Sequence, residues 1–151
     1  MSQENVEIVR RYVELCVRNL SAYWHQPRSY ATDFECGETD PGSREVFELL
    51  DPDIRWTSAI GETRTGKLGF AKTADELLAI SASYSLTLHA ITDLGGDHVL
   101  GEWQSDLTGQ SSRVSASVEV YSLFTLRAGL IREIVEYRTR ETALEAVKLA
   151  G

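Results

Sequence analysis

The stretch Arg113–Arg138, RVSASVEVYSLFTLRAGLIREIVEYR, is the part of the sequence that decides the fold. Apolar or small side chains occupy alternate positions of its first half, and this period of two predicts a β-strand over Arg113–Leu126. The side chains on its apolar face are Val114, Ala116, Val118, Val120, Ser122, Phe124 and Leu126. Arg127-Ala128-Gly129 then predicts a tight turn into a second strand, Ile131–Arg138, so the stretch forms an antiparallel hairpin.

Three further strands are predicted upstream of this hairpin. Tyr84–Asp93 and His98–Thr108 alternate in the same way, and the turn Gly95-Gly96-Asp97 separates them. A shorter strand, Ile54–Ser58, follows Asp51-Pro52, which ends the preceding helix because a residue before proline avoids the helical conformation. Strands joined by short turns pair antiparallel, so the sheet is predicted to be antiparallel.

Elsewhere the apolar positions recur at helical spacing. Helices are predicted over Gln3–Leu20, Glu45–Leu50 and Phe70–Leu78, with Gly61–Gly69 as a polar turn region before the third. A closing helix is predicted to start at Thr142, the first residue of a capping-box sequence. The helices must cover the apolar face of the sheet. The fold class is therefore α+β, with a strongly bent antiparallel sheet wrapped around N-terminal helices and an internal pocket at its open end.

Residues 21–44 interrupt the periodic pattern between the first two helices. They contain two of the three prolines and four aromatic side chains, more aromatics than a linker needs. We interpret them as an irregular or partly helical excursion that packs onto the body of the protein and is a candidate cover for the pocket.

The composition indicates one ordinary globular domain over residues 1–151. Its net charge of −8, from 23 acidic and 15 basic side chains, repels phosphate backbones, so nucleic acid is not an expected partner. The N-terminus has no apolar signal core, and the longest strongly apolar run is Leu77–Ile80, so no membrane span is expected and the location is predicted to be cytoplasmic. Cys16 and Cys36 are expected to stay reduced, and neither has a second metal ligand at close spacing.

Three segments of the chain have a recognisable pattern: SQENVEIVRR at Ser2–Arg11, FELLDPDIRW at Phe47–Trp56, and TLRAGLIREIVEY at Thr125–Tyr137 followed by ALEA at Ala143–Ala146. Together they resemble proteins of the SnoaL-like, nuclear-transport-factor-2-like superfamily. The segment YWHQPRS at Tyr23–Ser29 looks like a feature of one uncharacterised SnoaL-like subgroup. The resemblance implies a cone-shaped α+β fold with a pocket. It also implies a range of activities, because members include isomerases, epoxide hydrolases, dehydratases, polyketide cyclases and non-catalytic domains.

The resemblance to ketosteroid isomerases carries over one residue. Tyr12 matches a helix-1 tyrosine that donates a hydrogen bond to an oxyanion. The general-base aspartate of those enzymes falls near Trp56 or Thr57 here, and their second acid falls near Ser122, so neither acid is present at its position.

The resemblance to limonene-epoxide hydrolases and SnoaL-type cyclases carries over one acid. The arginine and aspartate on the central strand of the hydrolases fall near Trp103 and Ser105, whereas the acid on their last strand corresponds to Glu136. Glu136 is also the approximate counterpart of the acid–base aspartate of the cyclases. One acid is therefore kept without its partners.

Glu136 is the first candidate for catalysis on the evidence of the residues themselves. Side chains two apart on a strand point the same way, so Glu136 should share the concave face with Ile134 and Arg138. A carboxyl group that is partly desolvated in an apolar cavity has a raised pKa, which suits general acid–base work near neutral pH. The alternative is a structural interaction of Glu136 with Arg138 or with a helix end at the rim of the pocket.

Other candidates complete the predicted site. Tyr12 is predicted to donate a hydrogen bond to a substrate oxygen, or else to be an amphipathic core residue, and His25 is the histidine best placed for acid–base work. His98 is expected to be exposed and Asp106 to face outward. The predicted substrate-binding residues are Trp24, Trp56, Ser58, Trp103, Ser105, Ser122, Phe124 and Arg138.

These residues favour a cofactor-independent, metal-independent enzyme that acts on a small, apolar, oxygen-bearing molecule. The alternatives are a binding domain that holds a hydrophobic molecule without transforming it, and a dimerisation or scaffolding module with a filled cavity. A homodimer through the outer sheet face is expected in each case, since Tyr121 and Leu123 should point outward.

Overall fold

The computed structural model describes residues 2–23, 29–39, 41–109 and 111–150, and all structural statements below concern these residues. The helices are α1 (Ser2–Tyr23), α2 (Tyr30–Cys36), α3 (Pro41–Glu48), α4 (Gly66–Ile80) and α5 (Arg140–Ala150). The strands are β1 (Leu50–Thr57), β2 (Thr63–Thr65), β3 (Ser81–Gly95), β4 (His98–Gly109), β5 (Ser115–Arg127) and β6 (Leu130–Tyr137).

The six strands form one bent, unclosed sheet in the order β2-β1-β6-β5-β4-β3. Its bend goes with register shifts, such as the one between Leu88 and Ala90 of β3, because an extra residue in one strand twists and bends the ladder. The predicted hairpin is confirmed. β5 pairs antiparallel with β6, and Ala128 and Gly129 between them both have positive φ, the backbone of a tight two-residue turn.

One pairing departs from the predicted antiparallel sheet. β1 lies parallel to β6, with Trp56 opposite Ile134, whereas the other neighbouring strands pair antiparallel. The two strands are far apart in the sequence, so no short turn fixes their direction. Only the tertiary structure brings them together.

The helices α1, α3 and α4 contact the strands and, together with the inner face of the sheet, enclose the hydrophobic core. Val9 and Val13 of α1 pack there with Phe124 of β5 and Ile134 of β6, and all four side chains are fully or almost fully buried. This arrangement is the predicted α+β cone.

Several predicted boundaries are corrected. Gly61–Gly69 is not a continuous turn, because it contains β2 and the start of α4 at Gly66. The second predicted helix begins earlier, at Pro41, a residue well suited to a first helical position because its φ is already helical. The last helix begins at Arg140, and the hydroxyl of Thr139 accepts a hydrogen bond from the backbone N–H of Thr142 at 3.2 Å.

The outer face of the sheet is partly covered by α5. Leu100 of β4 is paired with Leu123 of β5 on that face, and α5 contacts β5 and β6. An ion pair between Arg140 Nε and Glu102 Oε1, 3.1 Å apart, also joins α5 to β4. Leu123 does face away from the core as predicted, but it is only 6% exposed, so it is not available to a partner, whereas Tyr121 is partly exposed.

None of the helices in the described ranges is both long enough and apolar enough to cross a membrane.

Candidate functional site

A partly open cavity of about 150 Å³ lies between the helices and the inner face of the sheet. Its walls come from α1–α4 and from strands β1, β3, β4 and β6. Most of its lining is apolar or aromatic. The lining residues are Tyr12, Cys16, Tyr30, Ser43, Val46, Phe47, Trp56, Phe70, Ala71, Thr73, Ala74, Leu77, Leu86, Trp103 and Glu136.

Glu136 is the charged residue of this lining. It lies on β6, two residues after the buried Ile134, so the alternation of the strand directs its side chain to the inner face as predicted. Burial raises the pKa of the Glu136 carboxyl group from 4.5 to about 7, because an apolar environment disfavours the charged form.

Trp56 is the hydrogen-bond partner of Glu136 within the described residues. The Trp56 indole N–H donates to Oε1 of the carboxyl group at 3.2 Å, which opposes part of the rise in pKa. The parallel β1–β6 pairing aligns Trp56 with Ile134, and it thereby brings the Trp56 side chain to that of Glu136, although 80 residues separate these two. The alternative partner considered for Glu136, Arg138, lies beyond the end of β6 and is exposed.

Tyr12 and Cys16 bring a second set of polar groups to the cavity, from one face of α1. Tyr12 is 5% exposed, and its ring packs edge-on against Phe124, with 5.6 Å between the ring centroids. Burial raises the pKa of the Cys16 thiol to about 12, while a hydrogen bond with Tyr12 acts in the opposite direction. Tyr12 is thus both a core residue and a lining residue, whereas its donation of a hydrogen bond to a substrate oxygen stays a prediction.

Trp103 and Ser122 form a buried polar pair in the wall. The Trp103 indole N–H donates to the Ser122 hydroxyl at 2.8 Å, and the two residues are 8% and 0% exposed. Trp103 lines the cavity as predicted, whereas Ser122 lies behind it and satisfies the indole. Phe124 is also set back from the cavity, fully buried beneath Tyr12.

Besides Ser122 and Phe124, three more predicted binding residues do not line this cavity. Ser58 lies in the connection between β1 and β2, where its hydroxyl accepts from the Glu62 backbone N–H at 3.3 Å. Ser105 is partly buried on β4 outside the lining, and Arg138 is exposed. Ser58 and Arg138 lie just past the ends of β1 and β6, where the alternation of the strand no longer fixes their direction, and Ser105 lies past the part of β4 that lines the cavity. Trp24 and His25 lie outside the described residues.

The remaining histidines and Asp106 lie outside the cavity. His98 is partly buried rather than exposed, with Nδ1 3.2 Å from the Thr125 hydroxyl, and His89 is exposed beside Gln104. Asp106 also lies outside the cavity lining, and hydrogen bonds from Gln104 and Ser117 lower its pKa. Among the described residues, no cluster of three or more His, Cys, Asp or Glu side chains is arranged to hold a metal ion.

The end of the predicted excursion contributes to the cavity through α2. Asp75 of α4 accepts hydrogen bonds from the Ser29 hydroxyl at 2.7 Å and from the backbone N–H groups of Tyr30 and Ala31 at 2.7 and 3.0 Å. These bonds hold the start of α2 against α4, and Tyr30 lines the cavity. No sequence signal indicated Asp75, because its partners are more than 40 residues away. The helical stripe of Phe70, Ala74 and Leu77 did indicate a buried face, although not that this face lines a cavity.

Solved structures share the architecture at low sequence identity. An NTF2-like protein of unknown function from Burkholderia pseudomallei K96243 has a TM-score of 0.60 at 16% identity, covering 97% of this chain and 96% of that one. A putative SnoaL-like polyketide cyclase from Jannaschia sp. CCS1 has a TM-score of 0.60 at 19% identity, covering 91% and 90%. A hypothetical protein with a ketosteroid-isomerase-like fold from Catenulispora acidiphila DSM 44928, in complex with trimethylamine, has a TM-score of 0.58 at 20% identity, covering 80% and 92%.

The bent sheet around its helices is therefore of the NTF2-like class. The profile of the SnoaL-like domain matches residues 35–134, which span about two thirds of the sequence. The chain belongs to the SnoaL-like family. No curated protein matches the sequence.

Proposed function

We propose that this protein is an enzyme that uses Glu136 for general acid–base chemistry, without a cofactor, on a small apolar molecule that carries oxygen. The observation behind the proposal is the Glu136–Trp56 pair, a carboxyl group held by one indole N–H inside an apolar cavity. The family is compatible with such an activity, and one structural neighbour is a putative polyketide cyclase.

The chemistry follows from the pKa of about 7. Near neutral pH the acid and base forms of Glu136 are both populated, so the same group can take a proton and return it without a large energetic penalty. The Trp56 indole occupies Oε1, which leaves Oε2 to face a substrate. In an isomerisation of a carbonyl compound, the carboxylic acid would give its proton to the substrate oxygen and the carboxylate so formed would take a proton from a neighbouring carbon, so the reaction balances without a co-reactant. Tyr12, which is hydrogen-bonded with Cys16, would assist by exchanging that bond for one to the same oxygen.

The test is a Glu136→Gln variant in a screen for turnover of small ketones, enones and epoxides. Glutamine keeps the shape of the glutamate side chain and an acceptor oxygen for Trp56, but it cannot take up and release a proton. Loss of the acid–base step typically lowers the rate by a factor of about 10²–10⁴. Glu133→Gln is the matched control, because Glu133 is on the same strand and 3.7 Å from Arg55, outside the cavity. Turnover that survives in Glu136→Gln and falls in Glu133→Gln would refute the proposal.

A binding domain is the second candidate function. The aromatic side chains of the lining, with Glu136 as a single carboxylate, are suited to an organic cation, and one neighbour of the same fold is in complex with trimethylamine. Tight binding of a small amine, with no turnover of any compound in the screen, would support this candidate over the enzyme.

Two further proposals concern the state of the protein. We propose a homodimer through the outer sheet face, with Tyr121 at the contact, and a cytoplasmic location. Gel filtration with light scattering tests the first, and a single-chain mass at micromolar concentration would refute it.

A further inference from the structure

Resting on the proposed function, we infer that the cavity selects an uncharged molecule of about one ring, whose carbonyl or ether oxygen accepts a hydrogen bond from protonated Glu136.

The size of the cavity limits the ligand. About 150 Å³ is the volume of an engineered protein cavity that takes up benzene, and it falls below the roughly 300–1,000 Å³ of sites for drug-sized molecules. One ring with a short substituent therefore fits. A fused two-ring compound would extend beyond the lining.

The charges of the lining exclude an anionic ligand. Glu136 is acidic, and the described lining contains no lysine, arginine or histidine. A carboxylate or phosphate would leave water without gaining a counter-charge, and it would also repel ionised Glu136.

The hydrogen-bonding groups of the lining favour an acceptor over a donor. The N–H groups of Trp56 and Trp103 already donate to Glu136 and Ser122, and the Thr73 hydroxyl donates to the Gly69 carbonyl at 3.0 Å. Tyr12 is hydrogen-bonded with Cys16, and Tyr30 and Ser43 also have partners. From the described residues, no hydrogen bond reaches Oε2 of Glu136.

Protonated Glu136 therefore offers one free O–H. A ketone or ether oxygen needs one donor, which this proton supplies. An organic cation can contact the aromatic rings of the lining, but it requires that Glu136 be ionised in an apolar site, which is the costlier arrangement.

Binding should then depend on the protonation of Glu136 alone. The other titratable groups that face the cavity are Tyr12 and Cys16 on α1 and Tyr30 on α2, whereas α3, α4, β1, β3 and β4 contribute none to its lining. Burial holds the pKa of the Cys16 thiol at about 12, so this thiol stays neutral near pH 7. On β5, Ser122 is the residue paired with Glu136, and it does not titrate.

The experiment compares three size-matched probes, acetophenone, benzoate and benzamidine, which are uncharged, anionic and cationic. Binding is followed through the indole N–H signals of Trp56 and Trp103 in ¹H–¹⁵N NMR spectra, assigned with single Trp→Phe variants. At about pH 6 acetophenone should bind saturably and at least about tenfold more tightly than either charged probe. A two-ring analogue, 2-acetonaphthone, should bind at least about tenfold more weakly than acetophenone.

The pH dependence supplies the internal control. The affinity for acetophenone should fall as the pH rises through about 7 in the wild type. In Glu136→Gln it should stay constant, because the amide N–H donates without titrating. Benzoate or benzamidine binding as tightly as acetophenone, unhindered binding of the two-ring analogue, or the absence of saturable acetophenone binding would each overturn the inference.

The outcomes separate this inference from the proposed function. The predicted order of probes without turnover of any compound would keep the ligand class and refute the enzyme. Turnover that depends on Glu136, on a charged or multi-ring compound, would keep the enzyme and refute the ligand class.

Discussion

Replacing Glu136 with glutamine should stabilise the protein above neutral pH, although it removes the proposed catalytic group. The pKa of Glu136 is about 7 in the folded protein against 4.5 for an unperturbed group. Between these pH values the folded protein binds one more proton than the unfolded chain. The free energy of unfolding must therefore fall as the pH rises from 4.5 to 7, and Glu136 contributes no further change outside this window.

The size of the effect follows from the same two values. The destabilisation by Glu136 is about 1 kcal/mol at pH 5 and about 3 kcal/mol at pH 8.5, relative to a residue that does not titrate. Glutamine resembles the protonated acid in shape, so any constant effect of the amide cancels when the two pH values are compared. The stability advantage of Glu136→Gln should therefore grow by roughly 2 kcal/mol between them.

Urea unfolding of wild type and variant at both pH values measures this change, followed by circular dichroism. Glu133→Gln is the control, since its side chain is 33% exposed and its ion pair with Arg55 is 3.7 Å long. It should change stability by less than about 1 kcal/mol at either pH. An advantage of Glu136→Gln that is the same at pH 5 and pH 8.5 would mean that Glu136 ionises as if in water, and the argument from burial would be wrong.

Three other predictions concern the groups around the cavity. Trp56→Phe should raise the pKa of Glu136 further, because the indole N–H stabilises the carboxylate, whereas Trp103→Phe should not. ¹³C NMR titration of the Glu136 carboxyl carbon measures this pKa in each variant, and equal shifts would contradict the role of Trp56. Asp75→Asn should destabilise the protein by about 1–3 kcal/mol in urea unfolding, because an amide accepts fewer of the three hydrogen bonds at α2, and an unchanged midpoint would contradict this. Near neutral pH, a thiol reagent should label Cys36 quickly in the native protein and both cysteines after denaturation, because burial keeps the Cys16 thiol protonated. Fast labelling of both thiols in the native protein would contradict this.

The sequence predicted the features that depend on local periodicity. The alternation in Arg113–Leu126 and the turn sequence Arg127-Ala128-Gly129 predicted the β5–β6 hairpin, and the phase of β6 directed Glu136 inward. These predictions succeeded because successive side chains of a strand take opposite faces whatever the rest of the chain does. The family predicted from the resemblance is confirmed by the SnoaL-like profile, which matches residues 35–134 and so covers the Phe47–Trp56 segment.

Local periodicity did not determine which part of a face becomes a cavity or what covers it. Ser58 lies past the end of β1 and Ser105 past the part of β4 that lines the cavity, and Leu123 points outward yet is buried. Burial of this kind depends on the packing of elements from distant parts of the chain. Spacing along the sequence does not encode that packing directly.

The pairing of Glu136 with Trp56 separates what the sequence determines from what the tertiary structure decides. The sequence by itself placed a carboxyl group on the concave face of β6. Only the tertiary structure, through the parallel pairing of β1 with β6, brought the Trp56 indole to that group across 80 residues. The resulting pKa of about 7 is a property of the enclosed cavity, because desolvation depends on every element that excludes water from the group and not on its neighbours in the chain.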